Sequence, residues 1–401
     1  MPGIDLLIRN GRVLDPAEGL DGRLDIAVSG GRISEIRSGI DPAGATRVID
    51  AAGLLITPGL IDLHTHVAAG IRKISAEDMM ADADTAGVHS GVTTVLDAGS
   101  TGALNIGGFV NHVVPRARTR VLALINVGTL GVSRAPEVRD AADIDIDAAI
   151  AAIQARPDVI KGVKVRMVSP GVTTLGIDLP RSAKKIADGS GTLVMVHVGD
   201  IIGQSAAAAE LAPRLLSEVL TAGDIVTHSL SFQIGALLSG GKLLQEAKDA
   251  RARGVVFDVG VGRANFSFES AKAVIGEGFI PDTVSSDFTQ AGRIAGPVHS
   301  LVESMAKMLA LGLGLPHVVR MATSRPAEVI GIAGETGSLS VGKAADISIL
   351  ELAEGEFVFR DTTGATMKGT QALRPVSTVR AGQVMPVDYG PRPWGWLPEQ
   401  A

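Results

Sequence analysis

The stretch that decides the fold is Ile56-Thr57-Pro58-Gly59-Leu60-Ile61-Asp62-Leu63-His64-Thr65-His66. It is a short apolar run closed by two histidines two residues apart. The run reads as a β-strand, and residues i and i+2 of a strand point to the same face. Both imidazoles therefore aim at one point, as two ligands of one metal ion must. Neutral imidazole is a common metal ligand and suits zinc. A histidine pair of this kind also occurs without any metal, so its meaning depends on what the rest of the chain supplies.

Outward from this strand, short β-rich runs alternate with helical ones, the pattern of βα units. Eight such runs fall at 60–66, 93–99, 120–126, 159–167, 192–198, 225–229, 255–260 and 283–287. Helical patterns lie between most of them, among them 206–220, 242–253 and 298–311. Eight strands with intervening helices predict an α/β fold, a (β/α)8 TIM-type barrel over residues 58–339. The two ends of the chain read differently, as strands and turns. Asp5 to Arg9 reads as a strand ended by a turn at Asn10-Gly11. Strands follow at 25–28 and 32–36, and again at 345–350 and 376–380. Neither end is large enough for a good core alone. Together, residues 1–57 plus 340–401 are expected to form one small β-sandwich domain.

Composition narrows the function. The chain has 401 residues, 46% hydrophobic and 20% charged, the balance of a well-packed globular protein. Net charge is −6 with no basic run, which argues against a nucleic-acid partner. The absence of Cys excludes disulfides, thiolate zinc sites and cysteine nucleophiles. No uncharged apolar run reaches membrane-spanning length, and Met1-Pro2-Gly3-Ile4-Asp5 lacks the features of a signal peptide. The reading is a cytoplasmic protein with a small-molecule substrate, no nucleic acid, no membrane, and a homo-oligomeric state.

A TIM-type barrel carries its chemistry at the C-terminal ends of its strands. Those ends hold His64 and His66 on the first run, Lys164 on the fourth, His197 on the fifth, His228 on the sixth and Asp287 on the eighth. Four of the chain's eight histidines fall there. His89, His112, His299 and His317 lie in helical or connecting segments and read as structural or surface residues. Asp287 has a second reading as a helix N-cap. Asp97, before a small-residue turn, reads as a loop-organising acceptor.

The order H-x-H, Lys, His, His, Asp on eight strands resembles the amidohydrolase superfamily in its binuclear-metal subtype. The resemblance extends to Asn10-Gly11-Arg12-Val13-Leu14-Asp15-Pro16, to 91–100 and to Gly342-Lys343-Ala344-Ala345-Asp346. The second and fourth strands look closest to a dihydroorotase-like amidohydrolase/deacetylase group. The resemblance implies two divalent metal ions, zinc being the expected species. His64 and His66 with Asp287 would hold the more buried ion, and His197 and His228 the second. A strand-four lysine would carry a CO2-derived carbamate that bridges both ions. Lys161 and Lys164 compete for that role, but three positions apart they face opposite sides of a strand. Lys164 lies nearer the strand end and matches the family segment.

A pair of ions sharing a hydroxide lowers the pKa of that water and polarises a carbonyl. Asp287 would relay the proton to the leaving group. The activity implied is hydrolysis of an amide or ester bond in a small molecule, with deacylation of an N-acyl or O-acyl carboxylate as the leading form. A ring-opening cyclic amide hydrolase of the dihydroorotase or hydantoinase kind is the alternative. A lactonase and a non-enzymatic structural relative stand further off, the latter because all six ligand positions are filled. Arg166 shares a strand face with Lys164, so it either clamps a substrate carboxylate or pairs with a structural one. Two departures from the family sit in loops at the barrel mouth. Val261 stands where a His commonly follows Asp-x-Gly, with Arg263 adding a cation, and Ala68-Ala69-Gly70 replaces an aromatic.

Overall fold

The computed structural model describes residues 3–71 and 79–388, so the extreme ends of the expected small domain, 1–2 and 389–401, lie outside the described residues. Five strands open the chain: β1 (Leu6–Asp15), β2 (Leu20–Ser29), β3 (Arg32–Arg37), β4 (Arg47–Asp50) and β5 (Leu55–Pro58). The predicted turn at Asn10-Gly11 is instead a bulge inside β1. The register against β2 shifts between Ile8 and Gly11, and Asn10 sits at φ 65°. The tertiary setting overrides the turn signal. Asn10 N donates to the buried Asp25 carboxylate at 3.0 Å, and Ile56 packs so close to Gly11 that no side chain fits there. A bulge absorbs the left-handed residue without reversing the strand.

The middle of the chain supplies β6 (Leu60–Thr65), β7 (Val92–Gly102), β8 (Arg120–Asn126), β9 (Ile160–Arg166), β10 (Leu193–His197) and β11 (Ile225–Thr227). A two-residue-stranded hairpin, β12 (Leu238–Ser239) and β13 (Lys242–Leu243), precedes β14 (Val256–Phe257). The sheet runs β14-β11-β10-β9-β8-β7-β6, parallel throughout. The eighth predicted strand, 283–287, forms no regular ladder. It makes single parallel bridges, Thr283 to Asp258 and Phe288 to Thr65. Its backbone still closes the ring: Val259 N donates to Thr283 O at 3.0 Å on one side, and His66 N to Phe288 O at 2.9 Å on the other. Asp287, at φ 52°, interrupts the extended conformation that a ladder needs.

Alternation along the barrel strands sorts the side chains. On β10, Val194 and Val196 pack in the large apolar layer between strands and helices, whereas Met195 joins a separate cluster with Leu96, Leu122, Leu124, Ile225 and Val256. His197 has the parity of Met195. The apolar cluster, capped by Ile330 and Ile332, thus fills one end of the barrel, and the polar side chains occupy the other.

The chain ends in β15 (Ile347–Arg360), β16 (Thr366–Arg380) and β17 (Gln383–Pro386). These join the opening strands. They are hydrogen-bonded as one sheet in the order β17-β16-β15-β5-β1-β2-β3, with β4 alongside β1. The β15–β16 hairpin does more than complete this sheet. Leu350, Phe359, Ala372 and Leu373 pack into the barrel's own apolar layer. At its tip, Asp361 accepts from Phe268 N at 2.9 Å, and Thr362 Oγ1 donates to Phe266 O at 2.7 Å.

Ser348 ties the seam between sheet and barrel. Its buried hydroxyl accepts from Leu60 N at 3.0 Å and donates to Gly91 O at 2.6 Å. Ser348→Ala leaves two buried backbone groups without that partner, and each such loss costs about 1–3 kcal/mol. Urea unfolding should therefore show a lowered midpoint with an unchanged slope. An unaltered midpoint would mean that the seam relaxes around the change.

Candidate metal centre and active site

The barrel gathers the predicted side chains at one end. Lys164 Nζ lies 3.2 Å from His64 Nε2. Asp287 Oδ1 lies 3.4 Å from His64 Nε2 and 3.3 Å from His66 Nε2. The His228 ring centre is 5.0 Å from that of His64 and 4.1 Å from that of His197. Ligand atoms of His64, His228 and Asp287 all fall within 4.8 Å of one another. His66 joins this group through Asp287, and His197 through His228. All six residues predicted as ligands thus meet, although they come from five separate strand ends.

Strand parity separates the two lysines. Lys164 is buried among the imidazoles, whereas Lys161 donates to Pro157 O at 2.9 Å on the outer side. The four remaining histidines take no part. His89, for example, contacts Pro386 O, and His299 contacts Arg293 O.

A set of hydrogen-bonding groups behind this cluster fixes which nitrogen each histidine presents. His64 Nδ1 meets Thr227 Oγ1 at 3.1 Å, and that hydroxyl donates to Asp258 at 2.7 Å. His66 Nδ1 meets Ser100 Oγ at 2.9 Å. His228 Nδ1 contacts Gly260 O at 2.6 Å, and His197 uses Nε2 on Gly199 O at 3.1 Å. His64, His66 and His228 therefore offer Nε2 to the centre, and His197 offers Nδ1. Such outer partners orient the rings of metal-binding histidines. Asp97 accepts from Val67 N and Ser100 N, both at 2.8 Å, so it organises the loop that carries Ser100. Asp258 also accepts from Thr283 and Ser285 and so links three neighbouring strands. Sequence reading missed Thr227, Ser100 and Asp258 as supports, because their roles depend on neighbours distant in the chain.

Burial sets the protonation of the cluster. It holds His64 and His197 well below the usual imidazole range, and His228 at about 4 despite the opposing pull of Asp287. Burial also lowers the Lys164 amine to about 7. Asp287 is pushed up by burial, but His66, His228 and Lys164 outweigh this and hold it below the ordinary carboxylate range. The neutral imidazoles of His64, His197 and His228, an amine with much of its charge lost and an ionised carboxylate form a donor set suited to divalent cations. His228 Nε2, buried and without a hydrogen-bond partner, faces into that set, so the residues fit a metal centre.

Backbone geometry at the centre is unusual. His228 and Asp287 both adopt positive φ, 68° and 52°, a region sparsely used by residues other than glycine. A side chain on Gly99 would lie 2.7 Å from Lys164 Cβ, and one on Gly260 would lie 2.8 Å from His228 Nδ1. Glycine is required there because Lys164, Thr227 and His228 themselves fill the space.

Arg166 meets a partner within the protein. Its Nε and Nη2 donate to the two oxygens of Glu137, both at 2.5 Å, and both side chains are largely buried. Of the two readings of Arg166, the structure supplies the structural carboxylate. The expectation of a guanidinium fork awaiting a substrate carboxylate is corrected accordingly. Glu137 comes from the loop after β8, which no local sequence signal relates to β9. Arg166→Met would strand the buried Glu137 charge, and breaking such a pair costs about 3–5 kcal/mol. The double variant Arg166→Met/Glu137→Gln should regain much of this in thermal unfolding. An Arg166→Met protein as stable as the parent would show that the pair is not a structural tie.

Comparison with known proteins agrees with this geometry. The amidohydrolase family profile matches residues 55–385. A deacetylase of Agrobacterium fabrum is 32% identical over 377 residues, which span 92% of this chain and 88% of that protein. A solved structure described as an adenine deaminase superposes with a TM-score of 0.84 at 29% identity, covering 96% of this chain and 100% of its own. Another, described as a dihydroorotase, gives 0.83 at 30% identity, covering 96% and 99%. The match over most of the chain, together with the cluster of histidines, Lys164 and Asp287 at the barrel's end, shows that the protein belongs to the amidohydrolase family and is a metal-dependent hydrolase.

Proposed function

We propose that this hydrolase removes the acyl group from a small N-acyl or O-acyl carboxylate. The observation that carries the reading is the placement of Lys164. Its Nζ lies 3.2 Å from His64 Nε2, away from water. A lysine ammonium at that point would repel any cation. A carbamate, formed when the free amine adds to CO2 and releases a proton, offers two anionic oxygens instead. Lowering of the amine to about 7 by burial favours the reactive free form.

In this reading His64, His66 and Asp287 would hold one divalent ion and His197 and His228 the other, with carboxylated Lys164 supplying anionic oxygen donors to the pair. Zinc fits the imidazole and oxygen donors. Ions bound there would lower the pKa of a water molecule and polarise the substrate carbonyl. Asp287 takes up the proton of the attacking water through a carboxylate oxygen and delivers it to the leaving nitrogen or oxygen. Similarity to the A. fabrum deacetylase supports the acyl reading. Similarity to the dihydroorotase structure supports the second reading, ring opening of a cyclic amide. A substrate carboxylate would have to use Arg166 Nη1, the nitrogen not held by Glu137, or another donor at the mouth.

Protein purified with added zinc should contain close to two ions per chain by elemental analysis. Lys164→Ala should lose metal and activity, whereas Lys161→Ala keeps both. The reverse pattern would assign the bridge to the other lysine.

The function itself is tested on a panel of N-acyl amino acids, O-acyl hydroxy acids and cyclic amides. Turnover of the acyl compounds ahead of the cyclic ones is expected, and the opposite order would favour ring opening. On the preferred substrate, Asp287→Asn should reduce kcat by about 10²- to 10⁴-fold, the usual contribution of a general acid–base group. Full activity in that variant would remove the proton-relay role.

A further inference from the structure

An anionic substrate needs a cation at the barrel mouth that the protein has not already neutralised. Arg166 gives Nε and Nη2 to Glu137. Arg134, on the loop after β8, is paired with Asp143 at 2.7 Å. Arg263, on the loop after β14, is different. It is exposed and makes no hydrogen bond or ion pair with another described residue. Of the two residues that set this loop apart in sequence, Val261 is buried in the apolar layer between strands and helices, and Arg263 is the one that reaches water.

The backbone roots this side chain beside Asp287. Gly262 N donates to Ser286 O at 3.0 Å, and Gln233 donates to Ala264 O at 2.7 Å, so the residues on either side of Arg263 are anchored. A side chain on Gly262 would lie 2.4 Å from Asp287 Oδ2. Consecutive Cα atoms are about 3.8 Å apart, which puts Arg263 Cα within about 8 Å of that oxygen. The arginine stem then crosses the chain that follows Asp287. A side chain on Gly292, in the short helix Gln290–Ala295, would meet Arg263 Cγ at 3.1 Å and Cδ at 3.5 Å. The bare Gly292 thus forms a shelf on which the methylene groups lie, while the charged end stays in water. An anion entering the mouth has access to it.

We propose that Arg263 is a specificity-determining residue whose guanidinium takes the carboxylate of the substrate. The inference rests on the deacylation reading above and deepens it by naming the group that selects the anion. Asp287 delivers a proton to the leaving atom in that reading. In an N-acyl amino acid a single carbon separates the leaving nitrogen from the carboxylate. The carboxylate therefore arrives on the Asp287 side of the scissile bond, where Arg263 is rooted. With no partner inside the protein, the planar fork of the guanidinium is available for two parallel hydrogen bonds to the carboxylate oxygens.

The test uses zinc-loaded full-length protein and a matched pair of substrates, an N-acetyl amino acid and its uncharged carboxamide. The parent should prefer the acid. Arg263→Gln should lower kcat/KM for the acid by about tenfold or more, mainly through KM, and change the carboxamide far less. Arg263→Lys keeps the charge without the fork and should retain part of the preference. Calorimetric binding of the released amino acid, which needs no turnover, should weaken in Arg263→Gln by a similar factor. Metal content and Tm should match the parent, because the side chain is exposed. Equal losses on acid and carboxamide would overturn the proposal. So would a fall in Tm with the acid-to-carboxamide ratio unchanged, which would make Arg263 a brace for the helix it crosses. A parent that splits the two compounds equally well would overturn it too. Failure of the parent to split either compound would instead overturn the deacylation reading, and this inference with it.

Discussion

The architecture depends on one constraint: a lysine amine, four imidazoles and a carboxylate are held together away from water at one end of the barrel. Desolvating such groups is costly unless each polar atom finds a partner. The protein meets the constraint from outside the cluster. Thr227, Ser100, Gly199 O and Gly260 O take the outward-facing histidine nitrogens, at 2.6–3.1 Å. The inward-facing atoms are left facing one another. That arrangement suits divalent ions, whose charge complements the donors that the outer partners have oriented.

The same constraint explains the strained backbone. His228 and Asp287 sit at positive φ, where a strand cannot continue. β11 consequently stops at Thr227, and the eighth segment closes the barrel by isolated bridges. Strain of this kind persists only where the surroundings over-determine it. Here Asp62, Asp258 and the backbone of 259–262 grip the residues that lead into Asp287. Asp62 accepts from Ser286 N at 3.0 Å, and Val261 N and Gly262 N reach Ser285 O and Ser286 O. Burial pushes Asp62 up to about 7, the consequence of placing a carboxyl in the barrel floor to hold that segment.

The small sheet has a part in this support. The tip of the β15–β16 hairpin fastens the loop after β14 through Asp361 and Thr362, while Phe359 and Leu373 pack with the barrel layer. A boundary drawn at residue 340 divides the chain by sequence pattern, but the packing crosses it. The Arg166–Glu137 pair acts similarly at the mouth, where it joins the end of β9 to the loop after β8.

The sequence by itself determined the strand-and-helix alternation, the face each strand residue occupies, and the residues that meet at the centre. Each of these follows from local periodicity: the parity that separates Lys164 from Lys161, the i, i+2 pairing of His64 with His66, and the placement of chemistry at strand ends. Tertiary structure alone decided the rest. Asn10-Gly11 looks like a turn until Asp25 and Ile56 make it a bulge. Arg166 looks unpartnered until a loop twenty-nine residues away delivers Glu137. Thr227, Ser100 and Asp258 look like ordinary strand residues until the closed barrel brings them behind the histidines. The physical reason is the same in each case: periodicity is set by neighbours along the backbone, whereas the pairing of a buried polar group is set by whichever distant segment packs against it.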